Sequence, residues 1–519
     1  MSDIPLKKIL YAILSGTMLT AAFPPARMEW IAWFALLPLL KSLENESGSR
    51  AFRLGLYMGL AHYLTLIYWV IFVIAAYGGL NIIVSAAILI LLCLYLSLYP
   101  AIFSVMISHL KESRFRALMT AGTWVSLEFI RAKLLTGFPW CLLGYSQFRY
   151  PNLIQAADIV GVYGLSFLIL TFNALIYLLL FEGDLRAKKT YKRLEMSIIL
   201  ILAIITIAYG HYRLSEYGSR LNSGNSVRVA IIQGNIDQSV KWNPAYQKKT
   251  MDTYWRLTDI AGGYKPYLIV WPETAVPLFF QDNTEFTEGI YEISGKSGAH
   301  LIFGSPAYKK ENGAERYYNR TYHLSPKGAL TGYYDKVHLV PFGEYVPMKR
   351  FFPFVHRLVQ AAGDFASGEE MSLLKLPGLP VGALICYEAI FPELSRKHVK
   401  KGAKILVNLT NDAWFGMTSA PYQHLIMSIF RAVENRRPLI RAANTGFSAF
   451  IDPVGKIVTQ GDLFNEEVLF EDIKTGGNSL TFYSRYGDLF VYIILIICLI
   501  KFFHELCYYP LKVRKRNPP

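Results

Sequence analysis

The sequence predicts a multi-pass α-helical membrane domain that carries an α/β domain before its last span. Hydrophobic residues make up 53% of the 519 residues and charged residues only 18%, a balance too apolar for an ordinary soluble enzyme. The apolar residues are concentrated before residue 213 and near the end of the chain. We therefore divide the chain into a helical membrane domain (1–213), an α/β domain (214–487) and a C-terminal span with a basic tail (488–519).

Eight apolar stretches supply the predicted spans. A spanning helix needs about 20 mainly apolar residues, and the stretches at 54–77, 80–109 and 157–181 exceed that length. The first two stretches are short and are separated by Pro24-Pro25, which predicts a tight turn between two helices of a hairpin, or a re-entrant pair. The eight stretches are 8–23, 29–43, 54–77, 80–109, 117–133, 157–181, 196–212 and 488–505.

The distribution of lysine and arginine predicts the orientation. With the N-terminus in the cytoplasm, eight spans put 18 basic residues on the cytoplasmic side and five on the other, as the positive-inside rule requires. Both termini are then cytoplasmic and residues 214–487 are extracytoplasmic. That segment holds 30 basic and 26 acidic residues, so most of the net charge of +15 belongs to the membrane part. The charge thus indicates topology, and no nucleic-acid partner is expected.

Residues 214–487 alternate apolar strand-like runs with helical stretches, which predicts an α/β domain. At this length the segment can bury a core of its own. The predicted strands are Val227–Gln233, Tyr267–Trp271, His300–Gly304, Gly382–Cys386 and Ile405–Leu409, and the predicted helices include 244–262, 284–297 and 421–435.

Glu273 follows the apolar run Tyr267–Trp271 and Pro272. Proline stops a strand ladder, so the carboxylate is expected at the carboxyl end of a strand, the edge where α/β sheets bind ligands. For a lone glutamate, a capping role at a strand–helix turn is the simpler interpretation.

Lys336 lies in a segment rich in aromatic and apolar residues, with Glu344 eight residues later. A lysine held in such surroundings can act as a fixed positive donor. Taken alone, it is also explained as a surface lysine whose stem covers an apolar strand. Glu344 is a second carboxylate that could enter the same site.

Cys386 ends the third apolar run and is followed by Tyr387 and Glu388. A thiol at a strand-to-helix turn would face the helix N-terminus, which lowers a thiol pKa. A buried structural cysteine is the more usual fate, but the polar residues that follow weaken that interpretation.

Together the three motifs supply a nucleophile, a base and a cation on three strand ends of one domain. That set suits acyl transfer through a thioester. Cys386 would attack a carbonyl, Glu273 would take the thiol proton, and Lys336 with backbone N–H groups would stabilise the oxyanion.

These motifs, in the order Glu, Lys, Cys, resemble the nitrilase superfamily, whose members share an α-β-β-α sandwich and a Glu-Lys-Cys triad. With the flanking spans, the whole chain resembles the apolipoprotein N-acyltransferase family. The segments that carry the resemblance are Trp271-Pro272-Glu273, residues 335–347, Cys386-Tyr387-Glu388, residues 136–140, residues 233–236 with Lys241-Trp242, residues 408–416 and residues 441–446.

The resemblance implies the last step of lipoprotein maturation. The sn-1 acyl chain of a phospholipid, commonly phosphatidylethanolamine, would move to Cys386, and lysophospholipid would leave. The chain would then pass to the α-amino group of the S-diacylglyceryl-cysteine of an apolipoprotein, in a ping-pong mechanism. The implied location is the bacterial inner membrane, with the catalytic domain in the periplasm.

The resemblance also implies supporting residues. Glu344 matches a second active-site glutamate, and Tyr387 and Glu388 match positions next to the nucleophile. Trp242 matches an aromatic near the lipid entrance, and we expect Trp242 and Asn319 to bind substrate. No cofactor and no metal are expected, since the histidines lack zinc-ligand spacing, and a monomer is expected.

Two other functions remain open at this point. A membrane-tethered amidase would use the same residues but release its acyl group to water, although eight spans are excessive for a small soluble substrate. The second alternative is a membrane scaffold whose α/β domain has lost its catalytic activity. The intact Glu273, Lys336 and Cys386 argue against it.

Overall fold

The computed structural model describes most of the chain, and its contacts divide the chain into a helical unit and an α/β unit. The described residues are 4–110, 115–181, 189–220, 226–282, 284–311, 313–346, 364–475 and 479–516. The helical unit comprises Met1–Ile71, Ile82–Tyr212 and Tyr486–Pro519, and the α/β unit comprises Phe72–Asn81 and Arg213–Arg485. Four of the basic residues used for the orientation, Lys111, Arg114, Arg186 and Lys188, lie outside the described residues.

Helices account for most of the described residues up to Arg220 and for the C-terminal segment. They are α1 (Leu6–Ala21), α2 (Leu37–Ser42), α3 (Gly48–Leu66), α4 (Trp69–Tyr77), α5 (Ile82–His109), α6 (Arg116–Lys133), α7 (Pro151–Ile154), α8 (Ala157–Phe181), α9 (Lys189–Arg220) and, at the end of the chain, Leu489–Arg516.

Three helices in the described part are long and apolar enough to cross a membrane: α5, α8 and the Arg193–Ser219 portion of α9. The pair α3 and α4, bent by 54°, would make a fourth span if it crosses as one unit. Helix α1 has 16 residues, a length of about 24 Å, which is less than the roughly 30 Å of a hydrocarbon core. Length and composition thus support three or four of the eight predicted spans.

The second predicted span does not form one continuous helix. A 3₁₀ turn at Glu29–Trp33 precedes the six-residue α2. The amide of Asn173 accepts from Leu36 N (3.0 Å) and donates to Ala32 O (2.9 Å). These bonds satisfy backbone groups that the break leaves open, which apolar surroundings require. A hairpin of two simple helices is therefore wrong here.

Two six-stranded sheets form the α/β unit, in the orders β12-β1-β2-β3-β4-β5 and β11-β10-β9-β8-β7-β6. The strands are β1 (Ser226–Gln233), β2 (Leu268–Val270), β3 (His300–Glu311), β4 (Ala314–Leu324), β5 (Leu330–Asp335), β6 (Leu374–Leu376), β7 (Leu379–Ile385), β8 (Ile405–Thr410), β9 (Leu439–Ala443), β10 (Ala449–Ile451), β11 (Ile457–Gln460) and β12 (Glu467–Lys474). The helices are α10 (Pro244–Gly262), α11 (Glu285–Ser297), α12 (Pro392–Lys400), α13 (Ala420–Asn435) and α14 (Phe482–Tyr486), and the C-terminal helix is α15.

The sheets face each other across a buried apolar layer to which both contribute, for example Val229 and Val270 from one and Val381 and Ile405 from the other. A second apolar layer joins the first sheet to α10 and α11, while α12 and α13 pack on the second sheet. The predicted α-β-β-α sandwich is thus confirmed. Its five predicted strands and three predicted helices all form.

The strand directions bring the sequence motifs to one edge. Strands β1, β2 and β3 are parallel, and β5 runs in the same direction because β4 is antiparallel to both of its neighbours. Strands β7, β8 and β9 are also parallel. The residues that follow β2, β5, β7 and β8 therefore lie at carboxyl ends, where ligands bind in α/β sheets.

The α/β unit includes the segment Phe72–Asn81, which is far away in sequence. Tyr77 donates from its hydroxyl to Ala413 O (3.2 Å), and its ring packs edge to face against Trp414 at 5.0 Å between centroids. This part of α4 therefore packs on the 3₁₀ turn that follows β8.

Candidate active site

Glu273 lies after β2 in a tight turn. Gly304 of β3 packs against the backbone there, and a Cβ at that position would collide with Thr274 N. The carboxylate is buried, and its Oε1 accepts from Asn319 Nδ2 at 2.7 Å. Its Oε2 has no hydrogen-bond partner among the described residues. One oxygen of this buried carboxylate is thus free to accept a proton.

Lys336 follows β5 and is 1% exposed. Its Nζ lies 2.9 Å from Glu344 and 3.8 Å from Glu273 Oε1. Burial disfavours the ammonium, but the two glutamates more than offset that effect and hold the Lys336 pKa above its usual value. Lys336 is therefore a permanent cation, a suitable fixed donor to a developing oxyanion.

Asn319 of β4 holds the two glutamates in place. Its Nδ2 donates to Glu273 Oε1 and, at 3.0 Å, to Glu344 Oε1. Glu344 Oε2 also accepts from Val340 N at 2.8 Å. The structure thus brings both predicted residues, Asn319 and Glu344, into the site. Binding of substrate by Asn319 stays a prediction, and its buried Oδ1 has no partner within the described part of the chain.

Cys386 begins a five-residue 3₁₀ turn directly after β7 and has a φ of +50°. Non-glycine residues in this region are strained, and such strain is concentrated at functional sites. Burial, together with the Glu273 carboxylate, raises the pKa of the Cys386 thiol to about 12 despite the opposing Lys336 ammonium. The sequence-based expectation of a lowered thiol pKa is wrong, because burial outweighs the short turn. The resting thiol is protonated and needs a base.

Glu388 links the turns that carry Lys336 and Cys386. Its buried carboxylate accepts hydrogen bonds from both turns, so it fixes the distance between the cation and the thiol. The donors are Ile385 N (2.7 Å), Val337 N (2.8 Å), Tyr334 Oη (2.9 Å) and His338 N (3.1 Å). The ring of Tyr387 packs on Phe391 at 5.2 Å.

A buried ionic cluster supports the strained backbone of Cys386. His424 Nε2 lies 3.2 Å from Cys386 O, and its Nδ1 lies 3.0 Å from Asp412 Oδ1. Arg441 Nη2 donates to Asp412 Oδ2 at 2.7 Å. Burial opposes the charge on Asp412, but Arg441 and His424 hold its pKa well below the usual range. Asp412 and Arg441 lie in segments 408–416 and 441–446, which carry the family resemblance, but the sequence alone indicates no role for them or for His424.

Arg441→Met is expected to destabilise the α/β unit strongly. Both Arg441 and Asp412 are fully buried, and removing one partner of a buried pair costs about 3–5 kcal/mol. The control is Arg228→Met, which breaks an exposed Arg–Asp pair between β1 and β12 and should change the unfolding temperature very little, because solvent screens exposed ion pairs. Thermal unfolding in detergent compares the two. An equal, small shift for both variants would contradict the importance of the cluster.

Trp242 lies outside the Glu273, Lys336 and Cys386 cluster, on the loop between β1 and α10. Its side chain is 44% exposed, so it is available to a partner. The preceding residue, Lys241, is buried and donates from Nζ to Glu273 O at 3.2 Å. Binding of substrate by Trp242 stays a prediction. Lys241 lies in the site, although the sequence indicated no role for it.

The arrangement suits nucleophilic acyl chemistry. A strained thiol, a carboxylate with a free oxygen and a buried cation follow the carboxyl ends of strands from the two facing sheets. These are the groups that nucleophilic catalysis by a cysteine needs. Within the described residues, no group of three or more His, Cys, Asp or Glu side chains could hold a metal ion. The fold and the site define a domain of the carbon–nitrogen hydrolase class, the nitrilase superfamily, and residues 228–478 match the carbon–nitrogen hydrolase family.

The chain belongs to the apolipoprotein N-acyltransferase family, which makes it an acyltransferase. Residues 15–175 match the apolipoprotein N-acyltransferase N-terminal domain. The apolipoprotein N-acyltransferase of Geobacter metallireducens is 44% identical over 94% of this chain and 93% of its own. That of Haemophilus influenzae is 34% identical, covering 95% of this chain and 93% of its own. An amidase of the nitrilase superfamily from Nesterenkonia, a solved structure, is 21% identical over 48% of this chain and 92% of its own, with a TM-score of 0.38.

Proposed function

We propose that the protein transfers the sn-1 acyl chain of a phospholipid to the α-amino group of the S-diacylglyceryl-cysteine of apolipoproteins. Family membership supports N-acylation of lipoproteins. The observation that carries the mechanism is a Glu273 carboxylate that has a free Oε2 and lies 3.8 Å from the Lys336 ammonium, with both charges acting on the Cys386 thiol. We assign catalysis to Glu273, Lys336 and Cys386.

The first half-reaction forms an acyl-enzyme. Glu273 takes the thiol proton as Cys386 Sγ attacks the ester carbonyl of the phospholipid. The oxyanion that develops is stabilised by Lys336 and by backbone N–H groups. The tetrahedral intermediate collapses, Glu273 returns the proton to the leaving alkoxide, and lysophospholipid departs. A thioester remains on Cys386.

The second half-reaction passes the chain to an amine. The α-amino group of the diacylglyceryl-cysteine attacks the thioester, and Glu273 accepts a proton from the attacking nitrogen. As the tetrahedral intermediate collapses, the C–S bond breaks and Glu273 returns that proton to the leaving Cys386 thiolate. The same base and the same cation serve both halves, as a ping-pong mechanism requires. Glu344 and Asn319 hold the side chains of Lys336 and Glu273 in place during both half-reactions.

The proposed location is a bacterial inner membrane, with the catalytic domain in the periplasm and both termini in the cytoplasm. The excess of basic residues on one side of eight spans supports it, as do the three or four membrane-length helices. Phosphatidylethanolamine is the proposed donor, membrane lipid surrounds the protein, and a monomer suffices because the three catalytic residues belong to one chain.

A labelled-donor experiment tests this function. Purified enzyme receives phospholipid labelled in its sn-1 chain, together with a diacylglyceryl-cysteine peptide. We expect the label on the peptide's amine, and with N-blocked peptide we expect no labelled product peptide. Label that appears only as free fatty acid would instead indicate an amidase-like hydrolase, which resolves the same thioester with water.

A further inference from the structure

Lys241 is a second buried lysine at the catalytic edge. It is 1% exposed, and its Nζ donates to the backbone carbonyl of Glu273 at 3.2 Å. An ammonium has three protons to donate, and that carbonyl is its one hydrogen-bond partner among the residues that the structure describes. Burying a cation is costly unless negative charge compensates it. In the resting site the Glu273 carboxylate does so, and a Cys386 thiolate would attract the Lys241 ammonium as well once it forms.

Hydrogen bonds hold the first residues of the loop that carries Lys241. The side chain of Asn444 accepts from Ile236 N (2.9 Å) and donates to Ile236 O (2.7 Å). Asn411 Nδ2 donates to Gln238 Oε1 at 2.6 Å. These bonds tie the start of the loop, after β1, to the ends of β8 and β9. Lys241 is therefore held in the interior by the fold and is not a surface lysine folded back by chance.

The two lysines of the site differ in their surroundings. Lys336 pairs with the carboxylate of Glu344, whereas Lys241 bonds only a neutral carbonyl in the described part. Burial lowers the pKa of Lys241 to about 8, although Glu273 and Cys386 favour the charged form. The charge on Lys241 thus responds to negative charge in the site, while that on Lys336 is already fixed.

We propose that Lys241 is a second cationic residue of the active site, whose ammonium stabilises the negative charge that develops on Cys386 and on the oxyanion. The proposal rests on the proposed function in one respect, that Cys386 is the nucleophile. Around the thiol, the Glu273 and Asp412 carboxylates oppose this charge and Lys336 favours it. On its own turn the thiol is followed by Glu388, whose charge is spread over four donors. A second cation would offset the opposing carboxylates.

The test measures how readily the Cys386 thiolate forms near neutral pH. Wild-type enzyme, Lys241→Met and Lys241→Gln are alkylated with iodoacetamide at about pH 7, below the Lys241 pKa of about 8, and mass spectrometry follows the Cys386 peptide over time. An ammonium that lowers the thiol pKa by about one unit raises the thiolate fraction about tenfold, so both variants are expected to react about tenfold more slowly than the wild type. Lys241→Arg should react near the wild-type rate.

Lys241→Gln separates charge from hydrogen bonding, since its amide can still donate to Glu273 O. If Lys241→Gln keeps the wild-type alkylation rate while Lys241→Met is slowed, the residue acts only through that bond and the proposal is overturned. A wild-type rate in both variants overturns it as well, as does loss of folding in both. The matched control is Lys404→Met, a half-buried lysine that also bonds a backbone carbonyl, Gly378 O at 2.9 Å, and should leave the rate unchanged.

The alkylation readout does not depend on acyl transfer. Failure of the proposed function would appear as transfer that survives replacement of Cys386. Failure of the role of Lys241 would appear as an unchanged alkylation rate near neutral pH. The two failures are therefore distinguishable.

Discussion

Cys386→Ala is expected to abolish both acyl-enzyme formation and acyl transfer. The variant lacks the atom that carries the acyl group, and loss of a nucleophile in a catalytic triad costs on the order of 10⁶ in rate. The backbone should be little affected, because alanine carries the same Cβ at the φ of +50° that cysteine already tolerates. Mass spectrometry after incubation with phospholipid should show a hydroxylamine-sensitive adduct on wild-type Cys386 and none on the variant.

Cys498→Ala is the matched control for this experiment. Cys498 is also a buried free cysteine, but it belongs to the helical unit and has no part in the proposed chemistry. It should keep both the adduct and transfer. Transfer that survives in Cys386→Ala, or an adduct found on another cysteine, would show that the nucleophile is elsewhere.

Glu273→Gln is expected to lower the rate of acyl-enzyme formation by about 10²–10⁴, the usual contribution of a general base. The glutamine oxygen can still accept from Asn319 Nδ2, as Glu273 Oε1 does at 2.7 Å. The amide that replaces the free Oε2 cannot accept a proton from a thiol whose pKa is about 12. Single-turnover measurement with labelled phospholipid would report the acylation step directly.

Glu466→Gln is the control for loss of a carboxylate. Glu466 forms an exposed ion pair with Arg256 at 2.6 Å, and its replacement should leave acylation unchanged. A Glu273→Gln enzyme that folds and acylates within tenfold of the wild-type rate would mean that another group removes the thiol proton.

The main features of the α/β unit could be predicted from the sequence because its strands are short apolar runs with polar residues at their ends. Glu273, Lys336 and Cys386 each follow such a run, and parallel strands bring their carboxyl ends together. The position of Glu273 and Glu344 around Lys336 could not be predicted. It depends on Asn319, in the middle of β4, whose side chain bonds both carboxylates.

Other features depend on contacts that are distant in sequence. The sign of the Cys386 pKa shift follows from burial between two sheets, which a strand-end motif does not reveal. The break in the second apolar stretch depends on Asn173 of α8, more than 130 residues away. The cluster of Asp412, His424 and Arg441 comes from three elements whose polar residues show no shared spacing.

The short segment Phe72–Asn81 shows that the two units of this protein alternate along the polypeptide. It lies between two membrane helices, yet it packs with the α/β unit, where Tyr77 covers Trp414. The domains are therefore interleaved along the polypeptide and not joined end to end. A fragment cut out at residues 213–485 would lose a segment that packs on its surface and leave Trp414 without that aromatic partner. The membrane part thus contributes a structural element to the enzyme domain in addition to anchoring it.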